Sequence, residues 1–136
     1  MARTSVILDA GALAAYLDPH EQHHRWAILQ AKELPRPFVI CEAALSESFY
    51  LLEPRYKQTI IEIMRRGELY IDFSLVNEFQ PVFALMEKYA NVPMSLADAC
   101  LVRMTEILSD PVVLTTDSDF RIYRRHGRHV VPCITP

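Results

Sequence analysis

Short apolar runs, separated by longer stretches with helical periodicity, constrain this chain more than any other feature. SVILD predicts a strand at 5–9, PRPFVI a Pro-bounded strand around 38–40, and LYIDF, VVLTT and VVPCI three more. Continuous apolar strands of this length are the mark of sheets covered on both faces, where helices fill the crossovers. Between them the sequence predicts helices from about 11 to 17, through EQHHRWAILQAKEL after the break at DPHEQ, and from about 42 to 52. Pro54 can open the next, through RYKQTIIEIMRR. NEFQPVFALMEKYA, with Pro81 tolerable only near its first turn, SLADACLVRMTEIL and a short DFRIYRR complete the set. Parallel strand–helix–strand units imply an α/β fold, a three-layer α/β/α sandwich with a central mainly parallel sheet, and residues 1–136 are expected to form one domain. Sites in such sheets form beyond the carboxyl ends of the strands, where Asp9 and Asp117 both fall.

Composition removes several classes. At 51% hydrophobic and 23% charged the chain is far from disorder, and no apolar run approaches the roughly 18 residues that span a bilayer. Asp9 interrupts the N-terminal apolar stretch, which reads as structure and not as a signal peptide. Cys41, Cys100 and Cys133 lie far apart with no C-x-x-C pair, which argues against a disulfide framework or zinc site and for a reducing cytoplasm. Cys41 has no evident base partner and reads as a packed thiol. With three glycines there is no phosphate-cradling loop. Glu21 and His24 form half of an E-x-x-H di-iron pattern whose other half is missing, so His20, His23 and His24 read as a polar surface turn near Trp26. The net charge of -3 gives no general attraction to nucleic acid, so an anionic partner must meet the local basic run RIYRRHGRH at 121–129.

Four acids stand in apolar settings. Asp9 ends the first strand, where it can also cap the next helix. Glu47 shares a helix face with Ala43, Ala44, Tyr50 and Leu51, and so is expected to project from the centre of an apolar face. Asp98 follows Ser95 by three residues, a capping-box-like start to an almost wholly apolar helix. Asp117 directly follows VVLTT, while Asp119 fits the cap of the next helix. Carboxylates gathered at one sheet end raise each other's pKa unless cations intervene, and hard Mg²⁺ or Mn²⁺ are their natural partners.

The blocks ILDAGAL, ALSESFYLL, MSLADACLVRM and VLTTDSDFRIYRRHG, in that order and at these separations, resemble the PIN-domain family, most nearly the small bacterial type exemplified by VapC toxins. The resemblance implies a compact α/β/α nuclease with Mg²⁺ or Mn²⁺ in an acidic site, hydrolysing RNA phosphodiester bonds. It makes Asp9, Glu47, Asp98 and Asp117 the catalytic metal ligands, Asp119 an auxiliary acid, and Thr115 a small hydroxyl residue near metal and substrate. Ala10 departs from the Thr or Ser that many relatives carry there, removing a hydroxyl contact. Arg121, Arg124, Arg125 and Arg128 could hold an RNA backbone, or simply complement a helix end. A homodimer and a small antitoxin partner are further expectations from the resemblance. Two rivals stand beside it: a catalytically inactive scaffold of the same fold that binds RNA or protein, and a phospho-acceptor signalling domain. The second pairs two acids after its first strand and uses a late Lys, whereas Asp9 stands alone and no Lys follows Lys88.

Overall fold

A computed structural model describes residues 3–136. Its strands are β1 (Ser5–Leu8), β2 (Phe38–Ile40), β3 (Leu69–Ile71), β4 (Pro111–Leu114), β5 (Arg124–Arg125), β6 (His129–Val130) and β7 (Cys133–Ile134). Its helices are α1 (Ala10–Leu17), α2 (His24–Glu33), α3 (Glu42–Leu51), α4 (Pro54–Arg65), α5 (Leu75–Lys88) and α6 (Leu96–Ile107), with a 3-10 turn at Ser118–Arg121. Five strands form one sheet in the order β3-β2-β1-β4-β7, every neighbouring pair parallel. The chain steps outward from β1 through β2 to β3, then returns to place β4 on the other side of β1. With right-handed crossovers, that reversal puts α1 and α2 on one face and α5 and α6 on the other, the expected three layers, while α3 packs against both α1 and α6.

The central strands are sealed on both faces: Val6, Ile7, Ile40 and Val113 are wholly buried. Their β-branched side chains suit the pleat, and covering helices explain why no polar alternation is seen. Edge strand β3 buries Leu69 but leaves Tyr70 and Ile71 exposed, so its alternation reflects a position at the sheet margin. Register sets the site. Leu8 pairs with Leu114, so the residues that follow, Asp9 and Thr115, leave the sheet side by side where the strand order reverses.

Several boundaries differ from the sequence reading. α2 begins at His24, not at Glu21, and the His24 ring is tied through Nδ1 to the Ala15 carbonyl oxygen at 2.7 Å. α5 begins at Leu75, which moves Pro81 out of the first turn and into the helix interior. The bond Pro81 cannot donate would have gone to Asn77, an exposed residue whose carbonyl water can serve. The expected DFRIYRR helix is instead the 3-10 turn followed by the antiparallel β5–β6 hairpin. His126 and Gly127, with φ of 50° and 83°, turn that hairpin. The turn is anchored to the helices: Glu106 accepts from the His126 N–H at 2.7 Å, and Lys88 donates to the Gly127 carbonyl at 2.7 Å.

Gly11 secures the junction of α1 with the β4 exit. A Cβ at that position would lie 2.4 Å from the Thr116 hydroxyl oxygen, closer than any ordinary contact. Gly11→Ala is therefore expected to destabilise by about 1–3 kcal/mol through overpacking, against the usual gain from Ala in a helix. Adding Thr116→Ala should restore most of the loss in urea melts. A Gly11→Ala protein as stable as the parent would show that the junction has slack.

Candidate active site

Asp9 is placed by β1 and used three times. Its backbone N–H donates to the Leu114 carbonyl at 3.0 Å, carrying the β1–β4 ladder one residue past the strand. One carboxylate oxygen caps α1 by accepting from the Ala10 N–H at 2.7 Å, and the other accepts from the Thr115 hydroxyl at 2.6 Å. Thr115 Oγ1 itself accepts from the Asp117 N–H at 2.9 Å, so its hydrogen is directed to Asp9. Asp117 then accepts from the Asp119 N–H at 2.9 Å. Asp117, not Asp119, is thus the cap of the 3-10 turn, because the turn starts at Ser118 and Asp119 already lies inside it. Asp9 and Asp117 thus each cap a helix start, which leaves them free to serve a site as well.

Asp98 enters from α6. Ser95 is the N-cap and accepts from the Asp98 N–H at 3.0 Å, as the spacing predicts. The Asp98 carboxylate accepts from the Tyr123 hydroxyl at 2.8 Å. Glu47 is the exception among the four acids. The buried stripe of α3 runs through Ala44 and Ser48, and Tyr50 is 87% exposed, so the apolar face shared with Glu47 is not the core-facing one. Glu47 is exposed and lines an open cleft of about 530 Å³ between α3 and the start of α6, with Tyr50, Ser95 and Leu96. Sequence periodicity could not tell an apolar face that packs from one that walls a cleft.

The electrostatics tie the acids together. Burial pushes the Asp9 carboxyl up to about 6, the charges of Asp98 and Glu47 push the same way, and the bonds from Thr115 and Ala10 only partly offset them. Burial also raises Asp98, with Asp117 adding to it and Tyr123 and Ser95 opposing. Partial desolvation raises Glu47, followed by the charges of Asp98 and Asp117. The Tyr123 hydroxyl is raised far above its ordinary value by burial and by Asp98, so it is a proton donor at any physiological pH. Among the described residues none of the five acids makes an ion pair, and the salt-bridge partner that would have explained Glu47 is absent.

Hard oxygen donors that repel one another and lack a basic partner fit a divalent cation. Asp9, Glu47, Asp98, Asp117 and Asp119 are the residues that would hold it. The fit is to an open site: among the described residues no three of His, Cys, Asp and Glu stand close enough to enclose an ion. Mg²⁺ commonly binds through one or two carboxylates while keeping several waters, so a loose acid set suits it. Thr115 is wholly buried with its hydroxyl committed to Asp9, which makes it a support for that acid and leaves it no surface for substrate. In the basic run, Arg124 Nη1 serves the Arg121, Ile122 and Tyr123 carbonyl oxygens, while Arg121 is exposed and its guanidinium donates to Thr135. Arg125 is half-buried, and Arg128 is exposed just past the hairpin turn. Tyr123 is the site residue the sequence reading missed. Its one signal was the i+3 spacing from Phe120, masked by three flanking arginines.

Because the folded chain holds the Asp9 proton more tightly than the unfolded chain, Asp9 favours folding below its ordinary pKa of 3.8. It increasingly opposes folding as pH rises through about 6. The full swing is roughly 3 kcal/mol at 1.36 kcal/mol per pH unit. Asp9→Asn, which keeps the capping oxygen, should therefore be more stable than the parent at pH 7 without metal, and the gap should close toward pH 4. Melts across that range read it; a gap independent of pH would contradict the burial argument.

Compared with known protein families, residues 6–125 match the PIN domain. No curated protein matches the chain. The matched span runs from β1 into β5 and so includes all four acids, the cleft and the Thr115 bridge. PIN domains are nuclease-type folds that typically work with divalent metal ions, as the acid set here leads one to expect. With the match extending over most of its length, this chain belongs to the PIN-domain family.

Proposed function

We propose that this protein is a metal-dependent endoribonuclease of the small VapC-like type, with Mg²⁺ or Mn²⁺ held by Asp9, Glu47, Asp98 and Asp117 and assisted by Asp119. The observation that carries the reading is burial of the acids beside one another, Asp98 and Glu47 raising Asp9 and Asp117 raising both of them, with no ion pair to any of them among the described residues. A folded protein that keeps such repulsion gains from it only when a positive ligand arrives. A bound divalent ion supplies Lewis acidity toward a phosphodiester and lowers the pKa of water. The chain supplies the rest. Thr115 orients Asp9, the 3-10 turn sets Asp117 and Asp119 one after the other, and the cleft beside Glu47 gives a strand of RNA a way in. Arg121, Arg125 and Arg128 stand for the phosphate contacts, while Arg124 holds the hairpin's backbone.

A catalytically silent scaffold of the same fold that binds RNA or protein is the second reading. A protein partner also has a surface to use: a groove of about 790 Å³ floored by Cys41 and Cys100, with Val76 83% exposed on its wall beside Phe79 and Phe83. A small antitoxin and a second copy of the chain are the partners in this proposal. Toxicity and a cytoplasmic site of action go with it. Among the described residues no helix is long and apolar enough to cross a membrane.

The test is cleavage of a mixed RNA pool with Mn²⁺, Mg²⁺ or EDTA, alongside Asp98→Asn at matched folding. Cutting should need metal, and Asp98→Asn should slow it on the order of 10²-fold or more. Metal binding without cutting would shift the substrate away from RNA. Neither cutting nor Mn²⁺ binding would leave the scaffold reading in its place.

A further inference from the structure

We propose that Tyr123 is a positioning residue: its hydroxyl fixes the Asp98 carboxylate in the orientation in which it receives a divalent ion. The assignment rests on the metal-dependent reading above, and goes beyond it by giving a role to a residue outside the acid set.

Tyr123 lies in RIYRR, between an exposed Ile122 and the half-buried Arg124, yet it is wholly buried. Its ring is held edge-on by Phe120, 5.3 Å between centroids, and by Tyr89, 5.2 Å. Tyr89 is held in turn, its hydroxyl accepting from the Arg124 N–H at 2.9 Å. Two edge-on aromatic contacts, at 84° and 66° between ring planes, leave the phenol little freedom to swing. Its oxygen lies 2.8 Å from Asp98 Oδ2.

Asp98 has a competing use. As the third residue of α6 after the Ser95 cap, it already turns in part toward the Ser95 backbone N–H, which draws its pKa down, as the acid of a capping box does. A carboxylate spent on its own helix start is a poorer ligand. A donor arriving from the segment after β4 holds one oxygen away from that use. A phenol suits the task better than an ammonium: it is neutral, so it orients the carboxylate and leaves the full negative charge for the ion. A Lys there would pair with Asp98 and displace the cation it should attract. The same residue also links Asp98 on α6 to the chain segment carrying Asp117 and Asp119, so acids from two elements share one support.

The plainer alternative is that a buried tyrosine hydroxyl simply needs an acceptor. The two differ in what Tyr123→Phe does. Calorimetric titration with Mn²⁺, alongside metal-free melting, is the experiment, with Tyr89→Phe as the control that removes a hydroxyl from the same aromatic group without touching Asp98. Positioning predicts a fall of about 10–100-fold in Mn²⁺ affinity for Tyr123→Phe, the usual cost of losing a group that orients a ligand, whatever the lost hydrogen bond costs in metal-free melting temperature. Tyr89→Phe should bind as the parent does. Equal affinity in parent and Tyr123→Phe overturns the assignment, and so does an equal loss in Tyr89→Phe, which would mark a packing effect. A parent that binds no Mn²⁺ overturns the metal reading itself, and Tyr123 with it. A parent that binds Mn²⁺ without cutting RNA leaves the titration decisive, since affinity is read without substrate.

Discussion

The β1–β4 pairing is the constraint on which the rest depends. It runs in register from Ser5 with Pro111 to Leu8 with Leu114 and continues through the Asp9 N–H to the Leu114 carbonyl. From that last rung, one hydroxyl group fastens two chain segments 106 residues apart in sequence: Thr115 gives its hydrogen to Asp9 and takes one from the Asp117 backbone. Parallel strands expose the ends of their ladders at the same edge, so a polar residue there meets a polar residue of its neighbour. The sheet order decides which neighbour, and the reversal at β1 leaves an opening that no crossover covers.

Around that opening the protein tolerates an arrangement that opposes its own folding. Asp9 is almost inaccessible to water, Glu47 feels the charges of Asp98 and Asp117, and Asp98 feels that of Asp117. Local satisfaction makes this bearable, since Asp9 and Asp117 also serve as caps and Asp98 has Ser95 and Tyr123. Asp9, Asp98 and Asp117 are therefore held by hydrogen bonds of the kind any turn would use. Their common charge is what those bonds leave unanswered.

Much of this was legible in the sequence, for identifiable reasons. Strand cores such as VIL and FVI are apolar enough to admit only a doubly covered sheet, and Ser95, Pro54 and Asp9 mark helix starts by chemistry local to a few residues. What escaped depended on distance along the chain. Glu47 was assigned to a packed face because Ala43, Tyr50 and Leu51 are apolar, yet packing is decided by what lies opposite, and there the chain leaves a cleft. RIYRR was read as helix because its flanking residues are helix-compatible. His126 and Gly127 at positive φ, with Glu106 and Lys88 waiting on α6 and α5, select a hairpin instead. Tyr123 was hidden for the same reason: its partner Asp98 lies 25 residues away, and no local pattern announces the contact.

The hairpin's anchorage has a consequence for how such a protein can change. Glu106 and Lys88 grip a backbone N–H and a backbone carbonyl, and Tyr89 grips another N–H. None of these attachments depends on the identity of the side chain at the hairpin position it holds. His126 and Gly127, at φ of 50° and 83°, are bound by their own conformation, and Arg124 by the carbonyls it serves. The exposed positions Arg128 and His129 are thus free to drift in sequence while the tip stays where it is. Mutation can rewrite the charge and shape that this edge of the molecule presents without renegotiating the fold, which makes the hairpin the part of the chain where descendants can diverge most freely.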